Sequence, residues 1–183
     1  MLERGISGRA RGISLNAQGN AEVQRLAAGL KSRQRQIAAL YTSPLERTRE
    51  TAAALEAALG LQACEHPALL ELHFGEWTGQ DFETLQADPR WRDFNYFRCG
   101  TRIPGGELML ETQARVVAAM LELRDRHADQ CLALVTHGDV IKAALTYFLG
   151  MPLEYHTRLE IAPASCSELE LARDYARVLR LNA

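Results

Sequence analysis

No apolar run in this 183-residue sequence approaches the roughly 20 residues that span a bilayer, and its amino-terminal stretch lacks the layout of a signal peptide. Both absences point away from a membrane protein and toward a cytoplasmic one. Cysteine is sparse and scattered. Cys64, Cys99, Cys131 and Cys166 include no C-x-x-C pair, which suits a reducing compartment. Cys131 and Cys166 fall in apparent strands and are expected to be small buried hydrophobes. The chain has no Walker or dinucleotide glycine loop and no G-x-S-x-G, which removes nucleotide-binding and serine-hydrolase readings. A formal net charge of −2 gives no global pull toward nucleic acid or a membrane surface. Lysine is nearly missing. Only Lys31 and Lys142 occur, and arginine, the better bidentate partner for phosphate or carboxylate, supplies the rest of the 21 basic residues.

What is present suits one globular domain over 1–183, since 47% hydrophobic residues can bury a sizeable core. Asn16 caps a helix whose apolar face is Val23, Leu26, Ala27 and Leu30. IAALYT (37–42) reads as a buried strand. Ser43-Pro44 opens a helix to about Leu59, with Gly60 at its end. A short extended piece is expected over Leu69–Leu72, a short helix at DFETLQ ending near Pro89, and an aromatic, basic loop over 90–106. The longest helix runs from Glu107 to Ala128. A strand at 131–136, a helix after Gly138, and extended segments near 157–162, 166–171 and 175–181 complete the pattern. Strands alternating with helices predict a three-layer α/β/α sandwich with a mostly parallel sheet.

Four stretches carry candidate chemistry. In LALVTHGDVIKAAL a strand stops at His137-Gly138 and a helix follows at once, a junction where open α/β sheets bind ligands and free helix N–H groups favour anions. A plain turn with an incidental histidine reads equally well. In YTSPLERTRE, Arg47 lies in the first turn of a helix, where a cation is disfavoured unless an anion joins it. A surface pair with Glu46 or Glu50 is the plainer account. In LLELHFGEWTG, Glu71 sits in an apolar run where desolvation would raise its pKa and fit it for general acid work. An outward position on an edge strand is the alternative, and Glu76 is a more solvated competitor. In IPGGE the glycines allow close packing, and Glu107 is expected to be structural, favouring the positive end of the following helix.

In combination and in this order, SPLERTRETA, LLELHFGEWTG, IPGGE and LVTHGD resemble the histidine phosphatase, or phosphoglycerate mutase-like, superfamily over most of the chain. The resemblance implies that Arg47 clamps a phosphoryl group, that Glu71 protonates the leaving alcohol and later activates water, and that His137 bonds the phosphoryl oxygens. Ser7, Gly8 and Gly138 would line the substrate. It implies a phosphomonoester phosphatase working through a phosphohistidine, with a small-molecule substrate and without metal or other cofactor. A mutase is the less favoured reading, because the stretch between Glu71 and PGGE is short. Arg92, Arg98 and Arg102 are available there for a second anionic group. The family's nucleophile lies in an Arg-His-Gly motif that ends the first, central strand, and the motif does not occur in 1–183. The expectation is that motif and strand belong upstream of Met1, leaving this chain inactive and its sheet edges unpaired or paired between chains as a homodimer. A pseudophosphatase that binds phosphorylated ligands, and a deliberate truncation, are the alternatives. His66, His73, His127 and His156 are poor substitutes. His127 is expected at a helix end, and His66 and His156 at the surface.

Overall fold

A computed structural model describes residues 5–32 and 36–183, so the question of Met1 lies outside it. Helix α1 (Ala17–Lys31) starts as expected, with the Asn16 side chain accepting from the Gly19 N–H at 2.7 Å. Strand β1 (Ile37–Thr42) leads into α2 (Glu46–Leu59), which ends at Gly60 in the left-handed conformation, φ 70°. Strand β2 (Ala63–Glu65) follows. An excursion then carries 3-10 turns at Pro67–Leu69 and Gly75–Trp77 and helices α3 (Phe82–Ala87) and α4 (Pro89–Tyr96). Helix α5 (Met109–Arg126), β3 (Cys131–Val135), α6 (Gly138–Phe148) and the ribbon β4 (Glu168–Leu171)–β5 (Ala176–Arg180) complete the order.

The parallel sheet has the order β2-β1-β3, and β4-β5 is a separate antiparallel ribbon. The strand period of two sorts the β1 and β3 side chains. Tyr41, Ala39, Leu132 and Leu134 face α5 and α6 with Val116, Val117, Leu123 and Val140. Leu40, Ala133 and Val135 face α1 and α2 with Ala27, Leu30, Ala52 and Leu55, and Ile37 joins them because a register shift between Ile37 and Ala39 breaks the alternation. This is the expected three-layer α/β arrangement. A further core, centred on Trp77, Phe94, Leu72 and Ile103, seals the excursion onto Met109 and Ala143.

Several expectations are corrected. Leu69–Leu72 is not a strand: Leu69 closes a 3-10 turn, and Glu71 follows in irregular backbone. The 90–106 loop contains α4, because Asp88 caps it and Pro89 occupies its first turn. No strand forms at 157–162, where a 3-10 turn (Leu153–Arg158) gives way to irregular chain. Cys131 is exposed at the start of β3 and Cys166 is half-buried. His156 is buried and bonded through Nδ1 to the Leu153 carbonyl, not at the surface.

Candidate active site

Parallel pairing brings the ends of β1 and β3 to one edge, with Thr42 opposite Val135. The ladder continues one step, from the Ser43 N–H to the Val135 carbonyl at 2.9 Å. Ser43 and Arg47 therefore arrive from the β1–α2 junction, and His137 from the β3–α6 junction. Glu71 comes from the excursion, fixed by Thr136 Oγ1 donating to the Leu69 carbonyl at 2.7 Å.

His137 is buried and bonded on both ring nitrogens. Nδ1 lies 3.1 Å from Arg47 Nη2, and Nε2 lies 2.8 Å from Ser43 Oγ. A guanidinium has no acceptor, so Nδ1 must accept, and the ring proton sits on Nε2, donated to Ser43. Burial, with the nearby charges of Arg47, Arg115 and Arg9, pushes the imidazole down to about 3. The histidine is neutral. The carboxylate of Glu71 lies 4.0 Å from the same Nδ1 and is only 15% exposed. Burial pushes its pKa up to about 8, and the Asp139 carboxylate adds to the rise, against the Leu72 N–H, Arg47 and Arg115. Glu71 therefore holds its proton at neutral pH. Arg47 also donates to the Gly8 carbonyl at 2.9 Å, while its Nη1 is buried without a partner.

Arg47, Glu71, His137 and Gly8 thus meet in one cluster at the sheet edge. Arg47 is not spent on a surface pair, since Glu46 and Glu50 accept instead from the N–H groups of Gly12 and Leu15. Gly8 sits at φ 49°, and a Cβ there would meet Thr78 Oγ1 at 2.8 Å. Ser7 accepts from the Ala10 N–H through its carbonyl. Gly138 opens α6 in free space. Glu76 is exposed and pairs with Arg90, away from this role.

Sequence reasoning missed the support beneath Glu71. Arg9 Nε and Arg115 Nη2 both donate to the Glu71 carbonyl, at 2.7 and 3.1 Å. Glu107 joins the two arginines, at 2.9 Å to Arg9 and 3.2 Å to Arg115, and also accepts from the His73 N–H and Thr112. Burial alone would raise the Glu107 pKa. The bonds from Arg115, the His73 N–H and Thr112 outweigh it and hold the group at about 2. Glu107 is structural as expected, but through this cluster: α5 begins at Met109, and it is Glu111 that caps its start. Gly106 of IPGGE packs against backbone, for a Cβ there would strike the His73 carbonyl, and Gly105 sits at φ 65°.

Comparison with known proteins gives the family and the fold. The chain is 33% identical over 137 residues to a probable phosphoglycerate mutase GpmB of Yersinia enterocolitica, covering 73% of this chain and 63% of that protein. It is 32% identical over 145 residues to phosphoglycerate mutase-like protein 4 of Arabidopsis thaliana, covering 77% and 62%. The matched segment thus spans less than two thirds of those relatives. The native structure of a mycobacterial glucosyl-3-phosphoglycerate phosphatase superposes with a TM-score of 0.87 at 24% identity, over all of this chain and 92% of that one. The structure of mycobacterial hydrolase 1 gives 0.86 at 26%, over 98% and 90%. The model of the histidine phosphatase superfamily, branch 1, matches residues 2–183, and the chain belongs to that superfamily.

Proposed function

We propose that this pocket receives the phosphoryl group of a small phosphomonoester and delivers a proton to its leaving oxygen, the reaction type of a phosphatase. The observation that supports the reading is the meeting of a guanidinium with a spare buried N–H, a neutral histidine and a protonated carboxylic acid around His137 Nδ1. Arg47 neutralises phosphoryl charge, and the open first turn of α6 adds N–H donors. As the P–O bond breaks, the Glu71 carboxylic acid gives its proton to the departing alkoxide, so that the alcohol leaves neutral. The resulting carboxylate then takes a proton from the water that attacks the phosphorylated acceptor. That acceptor is not His137, whose two nitrogens are engaged by Arg47 and Ser43. By resemblance it is the histidine of an Arg-His-Gly motif, which 1–183 does not contain. We therefore expect this chain to bind phosphate without turning substrate over.

Calorimetric titration with inorganic phosphate tests the proposal. Arg47→Gln should weaken binding by roughly ten- to a hundredfold, the worth of one or two charge-assisted hydrogen bonds. Binding that is indifferent to Arg47 refutes the site. In parallel, hydrolysis of p-nitrophenyl phosphate by this chain should stay at the buffer rate; clear turnover with a phosphohistidine trapped at His137 would make His137 the acceptor after all.

A further inference from the structure

Ser43 is fully buried, and each of its polar groups has a partner. Its N–H extends the β1–β3 ladder to the Val135 carbonyl at 2.9 Å, and its own carbonyl accepts from Thr48 Oγ1 at 2.9 Å. Pro44 follows, and its ring fixes the φ of the turn. A serine just ahead of a helix is ordinarily a cap. Here the residue that precedes α2 is Leu45, and Ser43 Oγ lies 3.5 Å from the Leu45 N–H, too far for a good hydrogen bond. The short contact of that oxygen is with His137 Nε2, at 2.8 Å. The hydroxyl therefore serves the histidine rather than the helix.

The two ring nitrogens of His137 face different neighbours. Nδ1 looks toward the reacting groups, with Arg47 Nη2 at 3.1 Å and the Glu71 carboxyl at 4.0 Å. Nε2 looks into the β1–α2 junction. A ring turned over would put carbon at both places and lose both bonds. In the free chain the ring proton is fixed on Nε2 twice, by the Arg47 donor on one side and the Ser43 acceptor on the other. Phosphate draws the Arg47 donor away from Nδ1, because a guanidinium bonds an anionic oxygen more strongly than a neutral nitrogen. Ser43 alone then opposes transfer of the proton from Nε2 to Nδ1. The difference is one of charge. Imidazolium, its Nε2–H held by Ser43, brings a positive charge to the phosphoryl group, whereas a neutral ring protonated on Nδ1 brings none. Arg47, Arg115 and Arg9 all oppose imidazolium in the free chain, and Glu71 is itself protonated, so the charge waits for the dianion.

We infer that Ser43 is a positioning residue for the phosphoryl group: its hydroxyl oxygen keeps the Nε2 proton of His137 in place, so that the ring meets phosphate through Nδ1 and as imidazolium. The inference rests on the phosphate site proposed above and adds the group that sets the charge His137 carries there.

The test reads the His137 ring by nuclear magnetic resonance in a chain with isotope-labelled histidine, with and without inorganic phosphate, and the proton uptake on binding by calorimetry in buffers of different ionisation enthalpy. In the unaltered chain Nε2 should carry the proton, and phosphate should add one at Nδ1. Ser43→Ala, and Ser43→Cys, which keeps most of the volume but is a poor acceptor, should look alike. Both should keep the free-state pattern, since Arg47 still donates to Nδ1, yet show Nε2 bare in the phosphate complex. Proton uptake should fall by at least half and phosphate should bind about tenfold more weakly, the worth of one charge-assisted bond. Thr48→Val removes the bond to the Ser43 carbonyl but leaves the Ser43 hydroxyl in place, so uptake should persist and affinity stay within about twofold. Uptake that survives in both Ser43 variants, or that is lost equally in Thr48→Val, overturns the inference and leaves the phosphate site standing. A free chain with the proton on Nδ1 overturns it too. Absence of phosphate binding by the unaltered chain overturns the site and the inference together.

Discussion

At the scale of single residues, the pocket works against the stability of the fold from both sides of neutrality. Glu71 ionises near 4.5 in an unfolded chain and near 8 in the fold. Between these values the folded state holds the extra proton, so stability falls as pH rises, and the whole deficit is present above 8. Glu71→Gln should therefore raise Tm, slightly at pH 5 and by several degrees at pH 8, in scanning calorimetry. His137 has the opposite slope. Its pKa drops from 6.5 to about 3 on folding, so the unfolded chain binds the extra proton below 6.5 and stability is lost as pH falls from there toward 3. Because His137 Nδ1 now accepts from Arg47, an entering phosphate dianion favours imidazolium, which can donate. Phosphate binding should take up a fraction of a proton, read as a dependence of the binding enthalpy on the buffer's ionisation enthalpy; a dependence that persists in His137→Ala assigns the proton elsewhere.

At the scale of elements, Glu71 is positioned by long-range partners. Arg9, Arg115 and Glu107 come from the amino-terminal loop, α5 and the glycine loop. Removing Glu107 leaves two arginines mostly buried and facing each other. Glu107→Ala should cost about 3 kcal/mol in urea unfolding, beyond what an exposed ion pair would contribute. Gly75 is equally constrained. It has φ 47°, and a Cβ there would strike the Pro104 carbonyl, so Gly75→Ala should both destabilise the chain and weaken phosphate binding as Glu71 shifts.

These elements also show what could be read from the sequence. The Asn16 cap, the Gly60 stop, β1 and both strands of the ribbon were legible because their signals are local. The two strand-to-helix junctions that carry Arg47 and His137 were legible too, but the family resemblance, not the spacing, put both side chains on one phosphoryl group. Helix α4 was hidden because its apolar residues, Trp91 and Phe94, make little more than one turn of pattern; Asp88-Pro89 was the cap signal that could have found it. Ser43 was hidden because a hydroxyl beside a proline reads as a turn residue. The contact of Arg9 with Glu107 spans 98 positions, and no spacing rule reaches that far.

At the scale of the molecule, β1 is bonded on both sides, whereas among the described residues the recorded strand partner of β3 is β1. Leu132 to Val135 are apolar yet only partly buried. The two strands should then differ in hydrogen exchange, with β1 amides protected near the global limit and the outward amides of β3 exchanging sooner. Equal protection would show that the outer edge of β3 is covered in solution.

Both tryptophans of the chain, Trp77 and Trp91, lie in the excursion, with ring centroids 5.2 Å apart at 86°. The pair shares its core with Phe94, under the Arg98 guanidinium, and none of it belongs to the sheet. Intrinsic emission and the near-ultraviolet dichroism of the indoles therefore report on one part of the protein, the part that carries Glu71 and Arg98. The peptide-bond dichroism near 222 nm, by contrast, reports on the helices as a whole. Where the two signals change together on heating, the excursion and the sheet melt as a unit; where the indole signal moves first, Glu71 and Arg98 leave their places while the Arg47–His137 contact is still standing.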